Sequence, residues 1–276
     1  MVRAIALHSI IPVRTEPREQ AEQSTQMLFA QTCEVLEERP RWVHIRLDDD
    51  GETGWADSKM LTVMNEQEWQ QVTDNRRFSG IVCQPMTYAV SEGNGQTIPL
   101  TGGTRLPAYT DGSFMLLGVR FRIDPQAVLM QPLPMTLDNL MGALRFYLNT
   151  PYLWGGKNAL GIDCSGLTQV IYSLFGINLP RNAKDQFLVH QDTDIAPERV
   201  QTGDIAFFRH EGQEHISHVG IILDTERIAH CSGRVKIERW DRQGIYSREQ
   251  TDAAHPDGQY THLLAGIHRI VPYTIK

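Results

Sequence analysis

PYLWGGKNALGIDCSGLTQVIYSLFG, residues 151–176, joins a glycine-rich, aromatic-flanked loop to a helix whose first turn carries a cysteine. Asp163 has a side chain suited to cap that helix. Leu167, Val170, Ile171, Leu174 and Phe175 recur at i, i+3, i+4, i+7 and i+8, and Gly176 ends the run. Cys164 is the first helical position, on the side of Leu167 and Ile171, so its thiol faces whatever the apolar stripe packs against. A helix N-terminus favours thiolate and lowers the pKa from the free value of ~8.5. Asp163 opposes this, because a carboxylate disfavours a second anion beside it. The helix alone does not activate the sulfur, and a base is required.

The flanking sequence supplies the partners. Upstream, Thr136 is an N-cap for a helix carrying Leu137, Leu140, Met141, Leu144 and Leu148 on one face, and Pro151 stops it. After Pro197 come strand-like runs: DIAFFR, HVGIIL, RIAHCS, RVKIERW and LLAGIHRIV. Helices followed by strands predict an α+β unit, with helices covering one face of an antiparallel sheet. His218 opens the second run and His230 lies in the third. With Asp224 at the centre of the hairpin turn, the two histidines are direct cross-strand partners on one face, Cβ atoms ~5 Å apart. One imidazole then takes the thiol proton while the other orients it, the nucleophile, base and orienter pattern of acyl transfer. The N–H groups that open the Cys164 helix are candidate oxyanion donors.

Each of these residues has a structural reading too. A cysteine at a helix start and single histidines on strands more often pack than react. The joint arrangement is what favours chemistry. Cys231 points away from His230 by strand alternation and reads as packing, as do Cys33 and Cys83 in the N-terminal half. HEGQEHISH, residues 210–218, lacks HExxH spacing, and GGKN lacks the P-loop pattern, so no metal or cofactor is expected.

Composition narrows the class. Of 276 residues, 41% are hydrophobic and 21% charged, an ordinary globular balance. No apolar run approaches the ~18 residues of a membrane helix. A net charge of −7 argues against a nucleic-acid partner. The four widely spaced cysteines form neither a disulfide framework nor a CxxC pair. The opening MVRAIALHSIIPVRTE is too short in apolar residues for a signal peptide and reads as a genuine start, so the expected location is cytoplasmic, or periplasmic or secreted if a leader was removed.

The N-terminal half has a different texture. Residues 5–62 read as short strands; in RWVHIRLDDDGETGWADSKML, Val43, Ile45 and Leu47 alternate with His44 and Arg46. Trp42, Trp55 and the Gly54-Trp55 step resemble a bacterial SH3 domain. A helical connector, NEQEWQQVTDNR, follows. Residues 78–133 are again strand and turn, which suggests a second SH3-like barrel or an insertion of the following domain. The expected domains are 1–64, 76–134 and 135–276.

YLWGGKNALGIDCSG, LPRNAKDQ, TGDIAFF, ISHVGIIL and IAHCSG together resemble the NlpC/P60 family of cell-wall peptidases over roughly residues 135–271. The resemblance implies a papain-like catalytic domain preceded by SH3-like β-barrels. It assigns nucleophile, base and orienting residue to Cys164, His218 and His230, places Tyr152 near the active site, and lets Asp163 and Ser165 bind substrate. It implies cleavage of the γ-D-Glu–diamino acid bond in murein peptides such as L-Ala-γ-D-Glu-diaminopimelate, with preference for a free N-terminal L-Ala, as in recycling of wall fragments. An amidase or acyltransferase on the same core, or a non-catalytic wall-binding protein, are the alternatives. One departure stands out. Relatives typically follow Leu-Pro-Arg with Asp-Ser, whose carboxylate helps hold the substrate amine; here Arg181 precedes Asn182 and Ala183. Asn182 offers only a neutral oxygen to that amine, with Glu52 and Asp57 as substitute acids.

Overall fold

The computed structural model describes residues 1–75, 80–251 and 253–270. The start of the expected second domain (76–79) and the last six residues of the third lie outside them. The chain forms two compact units, one of residues 1–132 with 154–159 and one of 133–153 with 160–276.

The first unit begins with seven strands: β1 (Val2–Ala6), β2 (Ile10–Arg14), β3 (Gln23–Leu28), β4 (Thr32–Arg39), β5 (Trp42–Leu47), β6 (Thr53–Asp57) and β7 (Leu61–Met64). They pair in the order β3-β2-β6-β5-β4-β1-β7. The alternation read in β5 holds: Val43, Ile45 and Leu47 join Ala4, Ile11, Val13, Met27 and Cys33 in one core. The Gly54-Trp55 step has a steric cause. A Cβ on Gly54 would stand 2.6 Å from Val13 Cγ1 and 2.8 Å from the Arg14 carbonyl oxygen, so glycine is what lets β6 pair this closely with β2. Trp55 lies between His44, stacked at 5.0 Å, and the Arg39 guanidinium at 4.6 Å.

Helix α1 (Glu66–Asn75) is entered by a capping box, with Asn65 Oδ1 accepting from the Glu68 N–H and Glu68 Oε2 from the Asn65 N–H. Then follow β8 (Gly80–Val82), β9 (Met86–Ser91), β10 (Thr97–Thr101), β11 (Arg105–Leu106), β12 (Ser113–Leu116), β13 (Val119–Ile123) and β14 (Val128–Leu129). They form a four-stranded sheet, β10-β9-β13-β12, and a three-stranded one, β11-β8-β14. Phe114 and Phe121 stack at 5.0 Å with Phe29 edge-on to both. Cys33 is core, as expected, but Cys83 is only half-buried, its sulfur 3.9 Å from the Gln126 carbonyl oxygen at the end of β8. The short β15 (Lys157–Asn158) belongs to this unit, where Gln26 Oε1 accepts from the Lys157 N–H and the Asn158 amide.

In the second unit, α2 (Leu137–Leu144) has its Thr136 cap but ends four residues before Leu148. The chain turns there through Tyr147 N–H to the Leu144 oxygen, with Asn149 at φ 67°. After β16 (Gly161–Ile162) comes α3 (Cys164–Ser173), then α4 (Ala183–Val189). Residues 164–172 of α3 are all buried, so this helix is enclosed on every side. The strands β17 (Ile205–Arg209), β18 (His218–Ile222), β19 (Arg227–Ser232), β20 (Arg234–Trp240), β21 (Gly244–Ser247) and β22 (Gln259–His268) pair antiparallel, as expected. They close into a six-stranded barrel through β17–β22 pairing. Register shifts at Phe207/Phe208 and Ile245/Tyr246 supply the bends that closure needs. Ala206, Phe208, Ile222, Ile228, Trp240, Ile245 and Ile267, one or more from every strand, fill the barrel's interior. Helix α3 packs outside it on β18 and β19.

Candidate active site

Cys164 stands at the N-terminus of α3 and is 7% exposed. Asp163 caps the helix, its Oδ1 accepting from the Gly166 N–H at 2.7 Å. The main-chain N–H groups of Val219 and Ser165 and the Arg181 charge favour the Cys164 anion, but burial first and Asp163 second outweigh them and push the thiol up to about 12. The opposition between helix and Asp163 read in the sequence is therefore resolved against the thiolate, with desolvation the larger cause. Val219 directly follows His218, so the sulfur meets the barrel beside the first histidine.

Both histidines lie on the interior face, but not directly opposite each other. The observed register pairs Gly220 with His230. Asp224 is not the apex; its Oδ1 accepts from the N–H groups of Glu226 and Arg227, an Asx-type turn that moves the hairpin centre one residue on. A shift of the centre by one moves the pairing by two, so the face is kept and His218 becomes a diagonal neighbour of His230. Glycine at 220 leaves the position across from His230 empty; a Cβ there would lie 3.1 Å from His230 Cβ and 2.8 Å from Ile228 Cδ1. His218 Nε2 thus reaches His230 Nδ1 at 2.9 Å, the rings nearly perpendicular at 88°.

Sequence reading missed what lies behind this pair. His230 Nε2 is 2.9 Å from Glu238 Oε2, the Ser247 hydroxyl donates to Glu238 Oε1, and Lys236 Nζ is 3.1 Å from Oε2. His262 of β22 stacks on His218 at 4.1 Å. Burial, then the neighbouring imidazoles of His262 and His230, push His218 well below the usual histidine range. Burial lowers His230 as well, with Glu238 pulling the other way. Burial, then His230 and His210, take His262 to about 3. Burial raises Glu238, but hydrogen bonds from His230 and Ser247 prevail and hold it at about 2. At rest, burial favours a neutral Cys164 thiol and neutral imidazoles, and the imidazole pair is backed by one carboxylate. Glu238 could have been found by counting through the Ser232–Arg234 hairpin, which pairs 228 with 238; His262 depends on barrel closure and left no such signal.

The remaining expected residues separate into groups. Tyr152 bridges to Ile162, and its phenol is raised by burial and by the nearby Cys164 and Asp163. Asp163 and Ser165 are buried and engaged by Arg181, whose Nη1 and Nη2 lie 3.0 and 2.6 Å from the two Asp163 oxygens, with Nη1 2.9 Å from Ser165 Oγ. Gln186 donates to the Pro180 carbonyl oxygen at 2.8 Å, and its Oε1 is 2.9 Å from the Thr168 hydroxyl. LPRNAKDQ therefore builds the N-terminus of α3. Asn182 is exposed at the α4 N-cap and donates to Asp185 Oδ2 at 3.2 Å rather than capping. Asp57 is buried, held by Arg41 and Lys59 in the first unit. Cys231 points outward as expected, its thiol 3.2 Å from the Ile162 carbonyl oxygen.

Residues 149–254 match the NlpC/P60 family, and residues 13–61 match the bacterial dipeptidyl-peptidase SH3 domain. The probable endopeptidase NlpC of Escherichia coli K12 is 31% identical over 111 residues, 40% of this chain and 71% of that protein. The chain belongs to the NlpC/P60 family. It is a peptidase of that family carrying a bacterial SH3 domain. A γ-D-glutamyl-L-lysine dipeptidyl-peptidase of Bacillus subtilis strain 168 is 28% identical over 219 residues, 75% of this chain and 71% of that one. The crystal structure of an NlpC/P60 family protein from Bacillus cereus ATCC 10987 shares the fold at a TM-score of 0.78 and 20% identity, covering 97% of this chain and 99% of its own. Among the described residues, no helix is long and apolar enough to cross a membrane.

Proposed function

We propose that this NlpC/P60 peptidase is a cysteine endopeptidase that hydrolyses the γ-D-Glu–diamino acid bond of murein peptides, with Cys164 as nucleophile, His218 as base and His230 as the residue that orients it. The carrying observation is the position of the Cys164 sulfur against the Val219 N–H, one residue from an imidazole that is itself hydrogen-bonded to a second. With the thiol high and the imidazole low, the proton moves to His218 as the sulfur attacks, rather than in a standing ion pair. Gly166 N–H is taken by the cap, so the Cys164 N–H is the helix donor proposed for the tetrahedral oxyanion. The protonated base then returns its proton to the leaving amine, and water releases the acyl group from sulfur.

The dipeptidyl-peptidase name of the Bacillus subtilis relative supports release of a dipeptide, here L-Ala-γ-D-Glu, from a peptide with a free N-terminus. Recycling of murein peptides in the cytoplasm is the role we assign, and residues 80–129 are proposed as a second SH3-like domain within a 1–64, 76–134, 135–276 division. Mass spectrometry of products from L-Ala-γ-D-Glu-diaminopimelate tests the reaction. Release of L-Ala-γ-D-Glu and free diaminopimelate is expected; an intact peptide, or cleavage at the L-Ala bond, would overturn it.

A further inference from the structure

We infer that Glu238 is a positioning residue that fixes which nitrogen of His218 faces the thiol. The inference deepens the cysteine-peptidase reading and rests on it. A carboxylate accepts hydrogen bonds and donates none. Glu238 Oε2 lies 2.9 Å from His230 Nε2, so that nitrogen carries a proton. A neutral His230 then presents a lone pair at Nδ1, which is 2.9 Å from His218 Nε2. His218 Nε2 must donate, and the only nitrogen left to receive the thiol proton is His218 Nδ1. Polarity thus runs one way along the chain, set at the end remote from the sulfur. Reversing it would put two lone pairs together at the Glu238 end.

The carboxylate is itself held from both sides. The Ser247 hydroxyl donates to Oε1 from β21, and Lys236 Nζ lies 3.1 Å from Oε2 along β20. The other charged or titratable groups facing the chain are His262 from β22, His210 from the loop after β17, and Glu249, whose carboxylate is 3.5 Å from Lys236 Nζ. None of these accepts from His230. During turnover the same carboxylate offsets the positive charge that His218 gains, so its effect is on kcat rather than on substrate binding.

The test uses the full chain with nitrogen-15 histidine and a graded pair of variants. In the wild type, His218 and His230 should both show protonated Nε2 and unprotonated Nδ1. Glu238→Gln keeps an acceptor but loses the charge, and Glu238→Met keeps the length but loses both. With L-Ala-γ-D-Glu-diaminopimelate, kcat should fall roughly tenfold in the first and on the order of 10²-fold or more in the second, with KM little changed. The acid limb of kcat should move to lower pH in Glu238→Gln, because an imidazolium without its carboxylate is harder to form. Glu238→Met should also show mixed His230 tautomers. A protonated Nδ1 on wild-type His230, or unchanged kcat in both variants, would overturn the inference. Should Glu238→Met not fold, the wild-type spectrum and the Glu238→Gln profile still decide it. Cys164→Ala separates the two readings: full activity there overturns the cysteine mechanism, whereas an inactive Cys164→Ala with unaffected Glu238 variants overturns only the role of Glu238.

Discussion

Cys33 in the first unit and Cys164 in the second have nearly the same resting acidity and different prospects. Both are pushed to about 12, by burial first and a neighbouring carboxylate second, Asp48 for one and Asp163 for the other. Each also has a guanidinium and a main-chain N–H working against the shift: Arg3 and Ala4 for Cys33, Arg181 and Val219 for Cys164. What differs is the surroundings. Cys33 lies on β4 in the core with Ala4, Ala6, Ile45 and Leu47. Cys164 opens a helix, its sulfur against the main-chain N–H of Val219, the residue that follows His218. In the proposed mechanism, what would set Cys164 apart is therefore where its proton can go, not how acidic the thiol is at rest.

The sharpest break between the two is substitution. Cys164→Ala should cost on the order of 10⁴-fold or more in kcat/KM, since a lost nucleophile removes the acyl-enzyme route. Cys33→Ala should leave kcat/KM within about twofold, with a lower urea midpoint as its only mark. Equal losses in both would erase the distinction. His218→Ala should lower kcat by roughly 10²–10⁴-fold. It should also slow iodoacetamide labelling of Cys164 while leaving that of half-buried Cys83 unchanged. A Cys164 rate indifferent to His218 would mean the imidazole is not its base.

The two guanidiniums give the next contrast. Arg181 and Asp163 have side chains only 1% and 8% exposed, whereas Arg3 and Asp48 are 18% and 24% exposed. Arg181→Ala should destabilise by ~3–5 kcal/mol, because it strands a buried carboxylate. Arg3→Ala should cost no more than ~1 kcal/mol. Urea unfolding of both variants measures the difference, and similar midpoints would show that burial does not separate the pairs.

Acid should soften the second unit first. His218, His230 and His262 are buried and lowered, so the unfolded chain binds more protons below its histidine pKa of ~6.5. Their stabilisation is complete above that pH and is lost as pH falls toward the folded values. For His262, at about 3, the loss is roughly 2 kcal/mol between pH 6.5 and 5. The first unit has only exposed His8 and half-buried His44. Hydrogen exchange at pH 7 and pH 5 should show protection falling in the barrel while β1–β7 keep theirs; uniform loss would contradict this. The smallest effect concerns Asn182→Asp, expected to raise kcat/KM about tenfold for a free-amine substrate over its N-acetyl form. No change would place the amine on another residue.

Much of this site was legible in the sequence because it depends on short-range rules. The α3 start follows from Asp163 and the apolar spacing, and the shared face of His218 and His230 follows from the period of two along strands. The pairing itself was not legible, because the Asp224 side chain folds into the turn and shifts its centre. Closure of the barrel was hidden as well, since it needs two bulges and the long-range β17–β22 pairing. His262 comes to His218 only through that closure. Arg181 was visible as part of LPRNAKDQ, but its grip on Asp163 and Ser165 spans 18 and 16 residues and no local pattern announces it.

The most direct measurement is labelling of the wild-type protein with an electrophilic ketone built on L-Ala-γ-D-Glu, followed by peptide mapping by mass spectrometry. One equivalent on Cys164, with activity lost in proportion and Cys33 untouched, is the expected result. Modification of Cys33 or Cys83 instead, or full activity with Cys164 occupied, would contradict it.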